Sequence, residues 1–407
     1  MRFTAVIAGV GMTRFGRHPE AGLKALGAEA VQAALDDAGI EAGALDAAFV
    51  GNAAAGLVTG QECIRGQVIL RGMGIGRIPV VNVENACASG STALHQACAM
   101  VSAGYYDTVL ALGVEKLHHP DKRRSFAAFS GAVDVEMLAP MLAALRQEAG
   151  SAEAAAGAGE KRSMFMDIYA AAARAHMQRY GTTVEQFAAI AAKSSVHGSL
   201  NPRAQFRDVL TVADVLAAPL VATPLTRPMC SPIGDGAAAV IVMSDRKLRR
   251  RGRHAPVRVV ASVLRSGWDH GVDEQGTVEV CAHEAYEEAG IGPKDVDVVE
   301  CHDASAPAEL MAYEALGLCR KGEGGAFIDS GAPRLGGRVP VNPSGGLLRK
   351  GHPVGATGIA QVVELTEQLQ GRAGERQVAG AKVGLAHNGG GAIGTDAAAM
   401  CVSILVR

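Results

Sequence analysis

Four residues of this chain stand where chemistry could be done. Cys87 lies in ACASGS (86–91), after an apolar stretch and ahead of an Ala/Ser-rich helical pattern. A cysteine at a strand-to-helix junction meets the positive end of the helix dipole, which favours thiolate. Its small neighbours leave room for a substrate. His352 lies in KGHPVGATG (350–358), where glycine and proline fix the backbone around an imidazole. An imidazole beside a cysteine can take its proton, or donate a hydrogen bond to a developing oxyanion. His302 closes the predicted strand DVDVVECHD (295–303), and strand ends are where α/β sheets present ligand groups. His387 and Asn388 precede Gly389, Gly390 and Gly391, whose amides could line an oxyanion site. His387 itself reads either as a second acid/base or as a structural residue.

The remaining cysteines suit this chemistry less. Cys98, Cys281, Cys319 and Cys401 fall in apolar patterns and are expected to pack, while Cys230, near a GDG turn, is ambiguous. The sequence has no CxxC and no zinc-like spacing, so no metal is expected.

These residues need elements to hold them. Residues 24–38 carry apolar positions at helical spacing and stop at Gly39. AAFVG (47–51), VVNVEN (80–85) and TVLALGVE (108–115) read as strands, with a helix from about 87 to 103. The alternation predicts a helix-covered, largely parallel α/β sheet. The chain also repeats itself. ALDDAGIEAGALD (34–46) matches AYEEAGIGPKDVD (285–297), and two looser echoes follow in the same order. VVNVENACASGSTALHQA (80–97) resembles VPVNPSGGLLRKGHPVGATGIAQ (339–361), and SPIGDGAAAVIVMS (231–244) resembles HNGGGAIGTDAAAMCVSILV (387–406). Two similar halves, 1–250 and 255–407, are expected. In this register His302 falls opposite Gly51, so the histidine distinguishes one copy from the other.

The first half carries an insertion, about 116–230, of the kind that covers a binding site. It holds an Ala/Gly/Glu-rich segment (143–160) and expected helices at 163–180 and at 183–197, the second after a Thr cap. The basic run DRKLRRRGRH (245–254) reads as a solvated linker at the junction of the halves.

Composition narrows the class. The chain has 407 residues, 48% apolar and 20% charged, with 51 glycines and a net charge of −2. A chain this apolar buries a large core, which excludes disorder, and the glycine excess must serve turns and close approaches. The charge balance gives no pull toward nucleic acid. No apolar run is long enough for a membrane span, the N-terminus lacks signal-peptide character, and a cytoplasmic protein with reduced thiols is expected.

Taken together, ACASGS, CHDASA (301–306), NPSGGLLRKGHPVGATG (342–358) and HNGGG (387–391) resemble the thiolase superfamily. Within it they are most similar to the sterol-carrier-protein-X-type, or lipid-transfer-protein, branch. The resemblance covers essentially the whole chain. It implies a five-layered αβαβα fold of two similar halves with an inserted loop domain. It implies a coenzyme A thioester as substrate, no bound cofactor, and a homodimer or homotetramer. Cys87 would carry the acyl group. His352 would activate it and, with His302, form one oxyanion hole. The amides of Cys87 and of the 389–391 turn would form another.

One departure stands out. The family's second cysteine, which moves the α-carbon proton, is missing from both places where it occurs: Ala304 fills one and His387 the other. Cys301 is adjacent but would face the opposite side of a continuing strand. The expected activity is C-acyl transfer on a 3-oxoacyl-CoA or a related CoA thioester, through an acylated Cys87, with His387 or His302 moving that proton. The alternatives are a retro-aldol lyase acting on a β-hydroxyacyl-CoA side chain with a small OB-fold/zinc-ribbon companion subunit, or a CoA/lipid-binding subunit.

Overall fold

A computed structural model describes residues 3–148, 162–248, 255–271 and 273–407. Most of the 143–160 segment and of the basic run 245–254 lies outside these residues. Eleven strands occur among them: β1 Ala5–Met12, β2 Ala47–Gly51, β3 Val80–Val83, β4 Thr108–Glu115, β5 Leu220–Ala222, β6 Leu225–Thr226, β7 Gly236–Ser244, β8 Val257–Arg265, β9 Val298–Glu300, β10 Val383–Gly390 and β11 Ala399–Val406.

Nine strands join in the order β3-β2-β4-β7-β1-β8-β11-β10-β9. Outward from the centre, this order is the same twice. β1 is followed by β7, β4, β2 and β3; β8 is followed by β11, β10, β9 and then Val341, which bridges Val299. Directions agree as well. The pairs β1/β7, β7/β4, β8/β11 and β11/β10 are antiparallel, while β4/β2 and β10/β9 are parallel. The two arrays meet where β1 pairs with β8 at Val6–Arg258 and Ile7–Val257.

The sheet is therefore mixed, not largely parallel. Among the nine strands of the sheet, parallel pairing is confined to β2/β3, β2/β4 and β9/β10. A helix between consecutive parallel strands is the obligatory crossover, and β2, β3 and β4 have one. β7 arrives from the end of the insertion and β11 from a loop, so both run against their neighbours.

The layers follow from which faces are apolar. Helices Ser89–Ser102 and Thr357–Leu369 lie between the two arrays, with Leu94, Ala97, Ile359 and Val363 packed on Ala111, Val240, Val259 and Ala386. Helix Leu23–Ala38 covers the outer face of the first array, and helices Thr277–Ala289 and Ala306–Ala315 that of the second. This is the αβαβα arrangement. Each fully buried aliphatic side chain in these layers contributes about 1.5–3 kcal/mol.

The repeated AGI turn has a conformational cause. Gly39 (φ 65) and Gly290 (φ 69) both end their helices left-handed, each donating its N–H back to the last turn. A side chain there would cost about 1–2 kcal/mol. The two central helices matter most for the site. A Cβ at Gly90 would stand 2.7 Å from the Gly355 carbonyl oxygen. The helix starts thus meet backbone to backbone, which brings Cys87 and His352 together.

The insertion supplies helices Met164–Tyr180 and Val184–Ser199, the second begun by a Thr183–Gln186 capping box. No helix among the described residues is long and apolar enough to cross a membrane.

Candidate active site

Cys87 sits in a single 3-10 turn, Ala86–Ala88, between β3 and the central helix. Ala86 is forced to φ 47, an uncommon conformation for a residue with a Cβ. Side chains hold the turn: Asn85 N–H donates to Ser89 Oγ at 2.9 Å, and Ser89 Oγ donates to the Ala86 carbonyl at 2.6 Å. Gly390 makes this packing feasible, because a Cβ there would overlap the Asn85 carbonyl and stand 2.5 Å from Ala88 N. The thiol does not rest as thiolate. Burial, then the charge of Glu115, pushes its pKa up to about 12, although the N–H groups of Gly391 and of Cys87 itself pull the other way. The helix-dipole expectation is thus overturned by desolvation.

His352 is held by its own turn. Its Nδ1 lies 2.8 Å from Thr357 Oγ1, and that hydroxyl donates to the Pro353 carbonyl. The hydroxyl proton is committed, so Nδ1 carries the imidazole proton and Nε2 keeps its lone pair. Burial holds the ring near pKa 3, so it is a neutral base.

His302 follows β9. Its ring stands edge-on to that of His352, with centroids 5.1 Å apart. Cys87 Sγ and one ring nitrogen from each histidine lie within 4.8 Å of one another. Asn388 Nδ2 donates to His302 Nδ1 at 2.8 Å, and Asn388 Oδ1 accepts from Ser91 Oγ at 2.6 Å. This arrangement puts the His302 proton on Nε2, where it can be donated to a substrate oxygen. Burial, then the neighbouring His352 and His387, holds His302 well below the usual histidine range.

His387 lies within β10. Its Nδ1 accepts from the His302 backbone N–H at 3.3 Å, which places its proton on Nε2. Nε2 has no hydrogen-bond partner, and the residue lines the cavity described below. Burial lowers its pKa to about 4. The glycines differ from the turn expected for them. Gly389 and Gly390 are the last residues of β10, paired with Met400 and Ala399 of β11. Gly391 alone has left the strand, and its N–H is the one turned to the Cys87 sulfur. Asn388 stands behind His302 rather than on the cavity wall.

Sequence reasoning missed the buried carboxylates that clamp these turns. Glu115 accepts from Asn52 Nδ2 at 2.9 Å and from the N–H groups of Ala53 and Gly355 at 3.1 Å. It ties the ends of β2 and β4 to the start of the second central helix. Asp303 accepts from Leu347 N–H at 2.7 Å, beside Gly346, where a Cβ would collide with the carboxylate. The available signal was a lone carboxylate closing the apolar strand TVLALGVE, and an aspartate next to a candidate histidine.

A cavity of about 1320 Å³ opens above the cluster. Cys87, His302, His352 and His387 line its foot, with Ala304 beside them. The insertion contributes Phe126, Phe129, Phe165, Met166 and Tyr169 to its walls, and the outer helix contributes Ala308, Met311 and Ala312. Cys230 reaches this wall. Cys301 does not: it faces the core, where Asn342 Nδ2 stands 3.4 Å from its sulfur. The insertion also braces the loop that follows β10, with Ala392 N–H donating to the Ala132 carbonyl at 2.9 Å.

This geometry has counterparts. Residues 5–215 match the family model "Thiolase, N-terminal domain", and residues 274–404 match "Thiolase C-terminal domain-like". The chain is 41% identical over 402 residues to an acetyl-CoA acetyltransferase of Methanothermobacter thermautotrophicus, covering 98% of each. It is 37% identical to rat sterol carrier protein 2, covering 96% of this chain and 71% of that one. It is also 37% identical to the benzoylsuccinyl-CoA thiolase subunit BbsB of Thauera aromatica, covering 91% and 90%. Among solved structures, an Ltp2-ChsH2(DUF35) aldolase superposes with TM-score 0.77 at 23% identity, covering 98% of this chain and 97% of that one. Human mitochondrial 3-ketoacyl-CoA thiolase superposes with TM-score 0.71 at 16% identity, covering 100% and 99%.

Proposed function

The chain belongs to the thiolase family, in its sterol-carrier-protein-X-type branch, and on that footing we propose that it is an acyl-CoA C-acyltransferase working through a Cys87 acyl-enzyme. The observation that carries this is the convergence of Cys87 Sγ with His302 and His352 at the foot of a large apolar cavity. The substrate is a 3-oxoacyl-CoA or a related CoA thioester, and the aromatic and aliphatic walls suit an acyl group larger than acetyl.

Each step can be assigned to a side chain. His352 Nε2 takes the Cys87 proton as sulfur attacks the 3-oxo carbon, because burial leaves no thiolate beforehand. The Cys87 and Gly391 amides face the oxyanion formed there, and His302 Nε2–H faces the thioester oxygen. The C2–C3 bond then breaks, leaving an acyl-cysteine and an enolate of the shortened CoA thioester. His387 donates its Nε2 proton to that enolate as a neutral acid, its Nδ1 steadied by the His302 N–H. A neutral imidazole is acidic enough to serve an enolate, and a water-excluded site favours this use. Free CoA returns the proton to His387, and its thiolate attacks the acyl-cysteine. The released Cys87 thiolate recovers its proton from His352.

We read the halves as 1–250 and 255–407. We also read the assembly as a homodimer or homotetramer. β3 is a sheet edge whose Val81 and Asn82 are exposed, and an open apolar edge calls for a partner strand. Eight unpaired thiols suit a reducing compartment, the cytoplasm.

The deciding experiment is mass spectrometry of the enzyme after incubation with an acyl-CoA and a quench in acid. An acyl adduct on the Cys87 peptide is expected, and none on Cys87→Ala. The competing reading is retro-aldol cleavage of a β-hydroxyacyl-CoA with a companion subunit, favoured by Ala304 where a thiol would stand. It requires carbon–carbon cleavage without free CoA and without any adduct, and that pair of results would replace the acyltransferase reading.

A further inference from the structure

The Cys87 cluster also has the composition of a metal-ligand set. The sulfur and the two imidazole nitrogens come from three separate turns, so no sequence spacing announces them, yet they lie within 4.8 Å of one another. In a tetrahedral zinc site, with Zn–S about 2.3 Å and Zn–N about 2.0 Å, neighbouring donors stand roughly 3.3–3.6 Å apart. Side-chain shifts of about an ångström would close the set to that size. We propose that Cys87, His302 and His352 form a three-ligand site for a thiophilic divalent cation of the zinc type, whose binding reversibly silences the nucleophile.

Three observations support the site. First, one thiolate and two imidazoles select zinc-like ions over magnesium or calcium, which require oxygen ligands. Second, both rings can offer a lone pair toward the sulfur. His352 already does, because its Nδ1 proton is fixed on Thr357. His302 does so once the Asn388 amide turns over, and the surroundings allow this. Ser91 Oγ also lies 3.1 Å from the Ala88 carbonyl. It can donate there and accept from the turned Asn388 Nδ2, while His302 Nδ1–H donates to Asn388 Oδ1. Both partners then serve as the outer hydrogen bonds that metal-bound histidines use. Third, the fourth position faces the cavity, where water or an incoming thiol can complete a tetrahedron. Binding releases the Cys87 proton to solvent and changes no oxidation state.

The inference rests on the acyltransferase reading only for its effect on activity, since binding is read directly. The test uses the full chain, stripped with EDTA and titrated with zinc chloride against a chromogenic chelator. A parallel titration with cobalt chloride is followed for a thiolate-to-metal charge-transfer band. One equivalent of zinc is expected to bind, to lower the initial rate at least about tenfold, and to be reversed by EDTA, with magnesium inert. Cys87→Ala should abolish the cobalt band. His302→Ala, which removes a direct ligand, should weaken zinc binding by more than about 100-fold while leaving the thermal unfolding transition in place. Zinc binding unchanged by Cys87→Ala overturns the site, as does an active wild type that binds none. A charge-transfer band on an enzyme without acyltransferase activity would keep the site and remove the function instead.

Discussion

In the resting chain Asn388 donates from its amide nitrogen to His302 Nδ1 at 2.8 Å, and Ser91 Oγ donates to the other end of that amide at 2.6 Å. A strand residue of one element thereby sets which ring nitrogen of a loop histidine carries the proton. Replacing the donor with an acceptor should reverse the tautomer. Asn388→Asp is expected to lower kcat by about 10²–10³ with little change in KM, the loss seen when an oxyanion donor is removed. Ser91→Ala, which frees the amide without replacing it, should lose less. Steady-state kinetics of both variants test the relay, and an unchanged kcat in Asn388→Asp would end it.

The His387 assignment separates two half-reactions. Acylation of Cys87 by a simple acyl-CoA needs no proton at the α-carbon, while carbon–carbon cleavage does. His387→Gln should therefore still form the adduct but lose about 10²–10⁴ in thiolysis, the usual worth of general acid–base catalysis. Equal loss of both, measured by quenched mass spectrometry and by product assay, would assign His387 a structural role.

Cys87 reactivity should track pH in a particular way. With the thiol pKa raised to about 12, the thiolate fraction grows tenfold per pH unit throughout the neutral range. Iodoacetamide labelling of the resting enzyme should rise steadily from about pH 6 to 9. A plateau reached below about pH 8 would mean that a thiolate is already stabilised at rest.

Gly390 permits the approach of β10 to the Cys87 turn. Gly390→Ala adds a methyl against the Asn85 carbonyl and Ala88 N, both backbone and neither able to yield cheaply. A destabilisation of about 1–3 kcal/mol is expected, with loss of Cys87 acylation. Denaturant unfolding with the same midpoint as wild type would contradict the packing described.

The cavity walls make a prediction about chain length. Ala308→Leu fills space on the wall that the outer helix contributes to the cavity. It should reduce kcat/KM for a bulky acyl-CoA by about 10–100-fold and leave an acetyl-CoA half-reaction within about threefold. Equal effects on both substrates would show that this wall does not contact the acyl group.

Much of the fold was legible because its signals are local. Gly39 and Gly290 end equivalent helices, Thr183 begins another, and the AGI repeat marks two equivalent turns, each set by residues within one helical turn. Strand direction was not legible, since β7 and β11 read as apolar runs in either orientation. The candidate histidines could be found as residue types in unusual frames. Their clamps, Glu115 and Asp303, could not, because a carboxylate's partners lie in elements distant along the chain.

The sequence by itself determined the reactive types, the turns that carry them and the duplication that brings Cys87 and GHP to equivalent helix starts. Only the tertiary structure decided their protonation. A helix start alone would favour thiolate, but burial beneath β10 and beside Glu115 keeps a thiol. A histidine alone has two tautomers, and Thr357 and Asn388 each select one. Both outcomes depend on desolvation and on hydrogen bonds made after folding, and neither is a property of any residue in isolation.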